Sequence, residues 1–375
     1  MRDFFLVVPL GAEGHALKEL ESVAPYLVDM EGWPLAQAYS EIREVKGGIE
    51  FKAELATGLQ LHYWLKVPVR ILLRLYNFRC RDRRDFRTQL DKGSWQEWLS
   101  GTPVQIKAES TASKVWNESW VQEETQKYLK AKFGTKTSVS KLYLRSLEDR
   151  WTVSLDLTGE PLFKRGWATL KEKAPIRENL ATIGLRELIG QDYWQTSEVC
   201  LADPFLGSGT ILAEGFHLND LSLNRSFAFE SEPFCPKLLR DKKIVSNYRW
   251  KKPQSFKSYF GTEIDEKTFT TATANLCEVS DLKLMHSSFE ATKPEYPRTW
   301  ILTNPPYEMR VNLKSVEGKN WLEALANKWQ PEKISFFYPK DRMNELGIPK
   351  GYRLGGQVSL SNGGINVQLT TLIRD

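Results

Sequence analysis

The sequence predicts an α+β N-terminal half followed by an α/β, Rossmann-like C-terminal half. Three observations carry this. From residue 176 onward, short apolar runs alternate with helical patterns, the mark of a doubly wound sheet that binds its ligand at the carboxyl ends of the strands. A Gly-rich stretch, Asp203–Thr210, stands where one such run gives way to a helix. Before residue 165, strands and helices also alternate, but with neither a Gly-rich loop nor a catalytic constellation. A chain of 375 residues is too long for one small core and suits two or three domains.

In order, Phe4–Val8 is an apolar strand and Gly14–Val23 has helical spacing. Gly47-Gly48 marks a turn into a short strand at Ile49–Lys52, and Ala53–Leu65 is again helical. Val69–Phe78 alternates as a strand, with Arg70 and Arg74 two pleats apart. Trp95–Leu99 reads as helical, Val104–Ala108 as extended and Trp120–Phe133 as helical. Leu142–Leu144 and Trp151–Leu157 form a strand pair around the turn residues Glu148-Asp149. A linker rich in Lys and Glu follows, and Ile176–Ile189 is a helix with Pro175 near its first turn and Gly190 at its end. Val199–Ala202, Ser258–Gly261, Trp300–Thr303 and Ile334–Tyr338 are strands, with helices at Thr210–His217 and Lys267–Val279.

Charged residues make up 26% and hydrophobic ones 41%, the composition of a soluble globular protein, and no apolar run reaches the roughly 20 residues that span a bilayer. Residues 1–9 carry too short an apolar run for a signal peptide, so the expected location is cytoplasmic. Cys80, Cys200, Cys235 and Cys277 are widely spaced and, with four His, suggest buried thiols rather than a metal site or disulfides. His217 and His286 read as structural or surface residues, and Trp116 and Trp120, four apart, as core. Nine basic residues against three acidic ones between Lys66 and Lys92 give that segment +6 and leave the rest of the chain at −1. Such a block points to a polyanion.

Gly207 and Gly209 let the backbone approach a ligand closely, and Ser208 and Thr210 add hydroxyls at the opening of a helix. No G-K-[ST] follows, which excludes a phosphate-binding P-loop, and the G-x-G-x-x-G spacing is absent. Glu263, at the end of the next strand, suits both hydroxyls of a ribose, with Asp265 in reserve. Asp265 also fits a helix N-terminus. Asn304-Pro305-Pro306-Tyr307 follows the strand Trp300–Thr303. The amine of a nucleobase is conjugated and a poor nucleophile, so it needs acceptors for both N–H bonds. The Asn304 side-chain oxygen and the Pro305 carbonyl, on a turn stiffened by two prolines, could supply them, and Tyr307 a stacking face. The two motifs together describe a pocket for S-adenosylmethionine and a clamp for an exocyclic nitrogen, with no metal required.

These residues resemble the THUMP-domain class I RNA methyltransferases, the RlmL-type guanine-N2 enzymes, over almost the whole chain. Phe5–Val8 with Gly11 and Glu19-Leu20, the stretch from Gly47 to Phe51 and the segment Val69–Phe78 are similar to the family's opening elements. The run from Asp156 to Gly166 resembles the signature that closes the THUMP domain, and Ala174–Ala181 the helix covering the cofactor. Arg225–Glu230 and the closing hairpin Leu360–Ile365 also match. The resemblance implies a ferredoxin-like domain at 1–65, a THUMP domain at 66–165 and a methyltransferase domain at 166–375. It implies cofactor contacts from Asp203, Pro204, Phe205, Gly207, Ser208, Gly209, Thr210, Glu263 and Asp265, and catalysis by Asn304, Pro305, Pro306 and Tyr307. Ser288 stands where family members carry an acid against the adenine, and Glu308-Met309-Arg310 replaces the usual Gly-Glu-Arg. RNA is the expected partner, gripped by Arg70, Arg74, Arg79, Arg81, Arg83, Arg84, Arg87, Lys164 and Arg165. The expected reaction is methylation of guanine N2, in large-subunit rRNA before tRNA. The rivals are a DNA adenine-N6 or protein Gln-N5 methyltransferase, which share the tetrapeptide, and a non-catalytic RNA-binding assembly factor.

Overall fold

The computed structural model describes residues 1–167, 176–243, 256–306, 320–362 and 365–375. The chain divides into two compact units, Met1–Val8 with Glu13–Leu162 and Leu221–Trp250, and Pro9–Ala12 with Phe163–Asp220 and Lys251–Asp375.

The first unit is built on a mixed seven-stranded sheet in the order β2-β3-β1-β4-β7-β6-β5. Its strands are β1 (Arg2–Val7), β2 (Tyr39–Val45), β3 (Gly48–Ala53), β4 (Arg70–Arg79), β5 (Thr102–Thr111), β6 (Thr137–Leu147) and β7 (Arg150–Asp156). All neighbours are antiparallel except β5 and β6. The β6–β7 turn puts Glu148 and Asp149 at φ of 51° and 65°, so both central residues take the left-handed form that matches strand twist in a two-residue hairpin. Along β6, residues from Ser138 to Ser146 are buried at every second position, the period of a half-buried strand. Phe4 stacks on Phe51 at 5.4 Å, tying β1 to β3. Phe86 meets Trp151 at 5.4 Å and brings the helix Arg83–Leu90 onto β7.

The described part of the segment starting at Leu221 completes this unit. Phe227 and Phe229 close on the buried ring of His62, and the Phe229 N–H donates to the Leu157 carbonyl at 3.1 Å. Burial holds His62 neutral, its pKa pushed down to about 3. The buried Glu232 carboxylate accepts from the Ser138 and Ser140 hydroxyls and from the Ser100 N–H. Arg225 donates to the Pro161 and Glu160 carbonyls at 2.7 and 2.6 Å. Arg225–Glu230 is therefore a structural staple of the first unit.

The second unit has a seven-stranded sheet ordered β10-β9-β8-β11-β12-β14-β13. Its strands are β8 (Cys200–Asp203), β9 (Ser258–Glu263), β10 (Leu282–His286), β11 (Thr299–Thr303), β12 (Lys333–Pro339), β13 (Tyr352–Asn362) and β14 (Ile365–Arg374). β8 to β12 are parallel, and β14 and β13 return antiparallel. The central strands β8 and β11 are buried at every position, as both faces are covered. Ala202, Ile301 and Phe336 meet Trp321, Leu325 and Trp329 of the helix Trp321–Trp329 on one face. On the other lies the helix Glu178–Ile189, where Gly184 permits close approach: a Cβ there would come within 2.8 Å of Leu302. The chain order reverses between β8 and β11, which makes their carboxyl ends the crevice where such sheets bind ligands.

The expected α+β and α/β halves are present, while several elements escaped the sequence reading, among them the strands β13 and β14 beyond their hairpin turn. β2 and β10 are edge strands with hardly a buried position: β2 shows no apolar alternation, and β10 is only five residues long. The helix Arg83–Leu90 hides in the basic block because Phe86 and Leu90 are its only apolar residues. The helix Trp321–Trp329 is nine residues long, too short for its period to separate helix from buried strand. Cys277, expected inside with the other three thiols, is exposed. No helix among the described residues is long and apolar enough to cross a membrane.

Candidate active site

The end of β8 is a buried acid. Asp203 is 1% exposed, and its Oδ1 accepts the Thr303 hydroxyl at 2.7 Å and the Phe205 N–H at 3.1 Å. Burial pushes its pKa up to about 7, with the two hydrogen bonds opposing and Glu263 adding to the rise. Thr303 is the last residue of β11, so one hydroxyl ties the strand that launches the Gly-rich loop to the strand that launches Asn304.

After Asp203 the loop is shaped by its own backbone. The Leu206 N–H donates to the Thr262 carbonyl at 3.0 Å, and the Thr262 hydroxyl to the Pro204 carbonyl at 2.8 Å. Gly207 and Gly209 sit at φ of +53° and +84°, a left-handed region that other residues enter only with strain. Beyond Gly207 the space is open, a Cβ there meeting nothing nearer than 4.0 Å, whereas at Gly209 it would press on Leu276 at 2.8 Å. One glycine faces a cradle and the other packs the loop on its neighbour. Asn275 holds the Ser208 carbonyl at 3.0 Å, and the hydroxyls of Ser208 and Thr210 are 3.3 Å apart and buried.

Glu263, half-buried at the end of β9, accepts three backbone N–H groups: Gly207 on Oε2 at 2.9 Å, and Ile264 and Asp265 on Oε1 at 3.0 Å each. A carboxylate offers about four acceptor sites, so Oε2 keeps capacity for a hydroxyl beside the cradle. Asp265 caps the helix Glu266–Asn275, taking the Thr268 N–H at 2.8 Å, and this bonding holds its carboxyl below the usual range. Of the two acids weighed for the ribose, only Glu263 is bonded to the Gly-rich loop. Ser288 follows β10, its hydroxyl and carbonyl both taking the Ala291 N–H. Phe205 stands edge-on to Phe289 and Trp321 at 5.4 and 5.6 Å. Asn304 is half-buried, Pro305 buried and Pro306 exposed, while Tyr307 lies outside the described residues.

The basic residues separate into two groups. Arg70 pairs with the buried Asp156 and donates to the Gly159 carbonyl at 2.6 Å, and Arg74 pairs with Glu50 at 2.6 Å and lies over Phe5. Arg165 is buried in the second unit against Glu214, with Nε and Nη2 at 3.3 and 3.4 Å from its carboxylate. Removing one partner of a buried pair such as Arg165–Glu214 costs about 3–5 kcal/mol, and Arg70 and Arg74, partly exposed, are each already engaged by a carboxylate. Arg79, Arg81, Arg83, Arg84 and Arg87 remain exposed on or beside the helix Arg83–Leu90, although Arg87 also pairs with Glu124 at 2.6 Å and Arg81 with Asp149 at 3.4 Å. Lys164 is exposed as well. Trp116, expected in the core, is 71% exposed, and Trp120 is half-covered by the Arg83 guanidinium at 4.8 Å.

Residues 165–327 match the family model described as UPF0020, RMKL-like, methyltransferase domain. Over 87% of its length the chain is 24% identical to the ribosomal RNA large subunit methyltransferase K/L of Psychromonas ingrahamii, and over 83% it is 23% identical to that of Shewanella amazonensis. It spans only about half of these proteins, 46% and 44%. Among solved structures, SMU.472 in complex with SAH shares the fold at a TM-score of 0.77, with 22% identity, 100% of this chain and 98% of that one covered. TrmN from Thermus thermophilus shares it at 0.68, with 16% identity and both chains covered in full.

Proposed function

We propose that this chain, whose residues 165–327 form an RMKL-like methyltransferase domain, transfers a methyl group from S-adenosylmethionine to the exocyclic N2 of a guanine in RNA, with large-subunit rRNA as the substrate. One observation carries the reading: the Gly-rich loop and Asn304-Pro305-Pro306 leave adjacent parallel strands whose last residues, Asp203 and Thr303, are hydrogen-bonded at 2.7 Å. The open space at Gly207 and the spare acceptor capacity of Glu263 fit a nucleoside-bearing cofactor. Glu263 would take the ribose, and Pro204–Thr210 and Ser288 would line the rest of its site. When bound, the sulfonium supplies an activated methyl group, so neither metal nor strong base is needed.

The protein's work is alignment. The Asn304 oxygen and the Pro305 carbonyl accept the two N–H bonds of the guanine amine, which turns its lone pair out of conjugation. Two prolines fix those acceptors before the base arrives, so little reorganisation is left for the transition state. Tyr307 provides the stacking face. The base must leave its helix to reach this turn, which favours an accessible or flippable guanine. Residues 1–165, divided near residue 65 into ferredoxin-like and THUMP parts, hold the RNA, with Arg79–Arg87 as the basic residues of the THUMP part that contact it. The relatives named as rRNA methyltransferases support RNA over DNA or protein as the class of substrate.

Replacing Asn304 by Ala should leave cofactor and RNA binding near normal and lower single-turnover methyl transfer by about two to three orders of magnitude, the usual effect of one lost transition-state hydrogen bond. Radiolabelled methyl transfer to total RNA, DNA and protein, followed by nucleoside mass spectrometry, identifies the acceptor. Label in DNA or protein alone would refute the assignment.

A further inference from the structure

In the second unit, the crevice opens where β8 and β11 stop pairing. Their ladder runs from Thr299↔Cys200 to Ile301↔Ala202 and ends there, one residue short of Asp203 and two short of Thr303. On its outer side each strand continues, β8 against β9 as far as Asp203↔Gly261, and β11 against β12 as far as Thr303↔Phe336. The two halves of the site therefore lean on different neighbours. The Gly-rich loop is fixed to β9: the Leu206 N–H donates to the Thr262 carbonyl, the Thr262 hydroxyl to the Pro204 carbonyl, and the Gly207 N–H to Glu263. Asn304 instead continues from the strand held by β12.

What spans the opening is the Thr303 hydroxyl, donating to Asp203 Oδ1 at 2.7 Å, with both side chains at most 1% exposed. The same oxygen accepts the Phe205 N–H at 3.1 Å, so Oδ1 joins the start of the loop to the residue before Asn304. Water does not reach this junction to compete for the donor, and a bond in such surroundings is electrostatically stronger than one in solvent. Packing gives no reason for a hydroxyl here. A strand buried at all five positions would be filled as well by Val, and a buried hydroxyl is costly unless it is bonded.

We infer that Thr303 is a positioning residue for methyl transfer: through Asp203, its hydroxyl sets the separation between Asn304 and the cofactor loop, without touching cofactor or base. The inference rests on the reading of function above and deepens it, because it assigns the alignment of the two motifs to a residue outside both. It also fixes which step suffers when the hydroxyl is lost. The loop keeps its three bonds to β9, so cofactor binding is spared, whereas Asn304 loses its reference to the methyl group.

The test is steady-state methyl transfer by the full chain to unmethylated large-subunit rRNA, with S-adenosylmethionine affinity read by calorimetry. Thr303→Val keeps the shape and drops the donor. It should lower kcat and kcat/KM together by about ten- to a hundredfold, with cofactor affinity near that of the wild-type chain. Thr303→Ser, which keeps the hydroxyl and drops the methyl, should restore most of the rate. Thr303→Ser and Thr303→Ala differ by the hydroxyl alone and give the same comparison should the valine variant not fold. Ser335→Ala is the control for lost stability, since it removes a buried hydroxyl bonded to Thr371 at 2.7 Å between β12 and β14. An equal fall in kcat for Ser335→Ala and Thr303→Val overturns the inference, as does a wild-type kcat in Thr303→Val; either leaves the reading of function standing. Label in DNA or protein but not in RNA overturns the guanine reading, and the same ratio of rates on that acceptor still decides the role of Thr303. A wild-type chain that labels none of the three overturns both.

Discussion

The Asp203 carboxyl lies where water does not reach, and that fixes a pH dependence. Its folded pKa of about 7 lies above the ordinary value of 3.8. Between those limits the folded chain keeps a proton that the unfolded chain has released, so stability falls as pH rises from about 4 to about 7 and stays low above that. The full penalty corresponds to about 4 kcal/mol at neutral pH. Asp203→Asn keeps an acceptor for Thr303 and Phe205 without the charge. It should raise the melting temperature by several degrees at pH 8, much less at pH 5, and lower methyl transfer; equal shifts at both pH values would remove the titration argument. Neighbouring residues also show what a sequence conceals. Glu263 and Asp265 were both eligible for the ribose by position, and only the three amides on Glu263 against the helix cap on Asp265 separate them. Arg70, Arg74 and Arg165 looked available because a charge count sees the cation and not a carboxylate 86, 24 or 49 residues away.

At the scale of elements, the helix Arg83–Leu90 turns a basic stretch into a surface. Asp82 caps it, Phe86 and Leu90 bury one side, and Arg83, Arg84 and Arg87 are left on the other. If these side chains meet phosphates, RNA affinity should fall with salt at a log–log slope near −0.7 per contact for a single strand, and replacing Arg81, Arg83 and Arg84 by Ala should flatten it by about two units. A filter-binding series reads this, with cofactor affinity as the control that should not move. An unchanged slope would mean that the arginines only solvate the helix. β1, β3, β4, β5, β6, β7, β8, β9, β11 and β12 lie where the apolar runs and alternation placed them. The edge strands β2 and β10 were not read, nor were the long strands β13 and β14, of which only the turn of the closing hairpin was legible.

For the molecule as a whole, the alternation of strand and helix after residue 176 announced the parallel sheet, because each βα unit must bury both faces of its strand. The division of the chain was less legible. Between β8 and β9 it leaves the second unit, and the segment beginning at Leu221 supplies Glu232, Phe227 and Phe229 to the first. Nothing in the local pattern distinguishes such an excursion from a long loop, since its partners lie about a hundred residues upstream. A fragment ending at Leu162 would leave Ser100, Ser138 and Ser140 without the Glu232 carboxylate and bare the ring of His62. It should unfold at lower denaturant than a fragment in which residues 221–243 are fused behind it through a flexible linker, and equal midpoints would count against this role.

That excursion sets an order of events during synthesis. As the chain leaves the ribosome, all seven strands of the first sheet emerge early, but its last core residues are translated only after β8 and the helix Thr210–Phe216 of the other unit. The nascent sheet must wait, with an aromatic pocket open, while some sixty further residues are added, a delay on the order of several seconds at bacterial or eukaryotic elongation rates. A chaperone that shields apolar surface on nascent chains has its natural client in that interval.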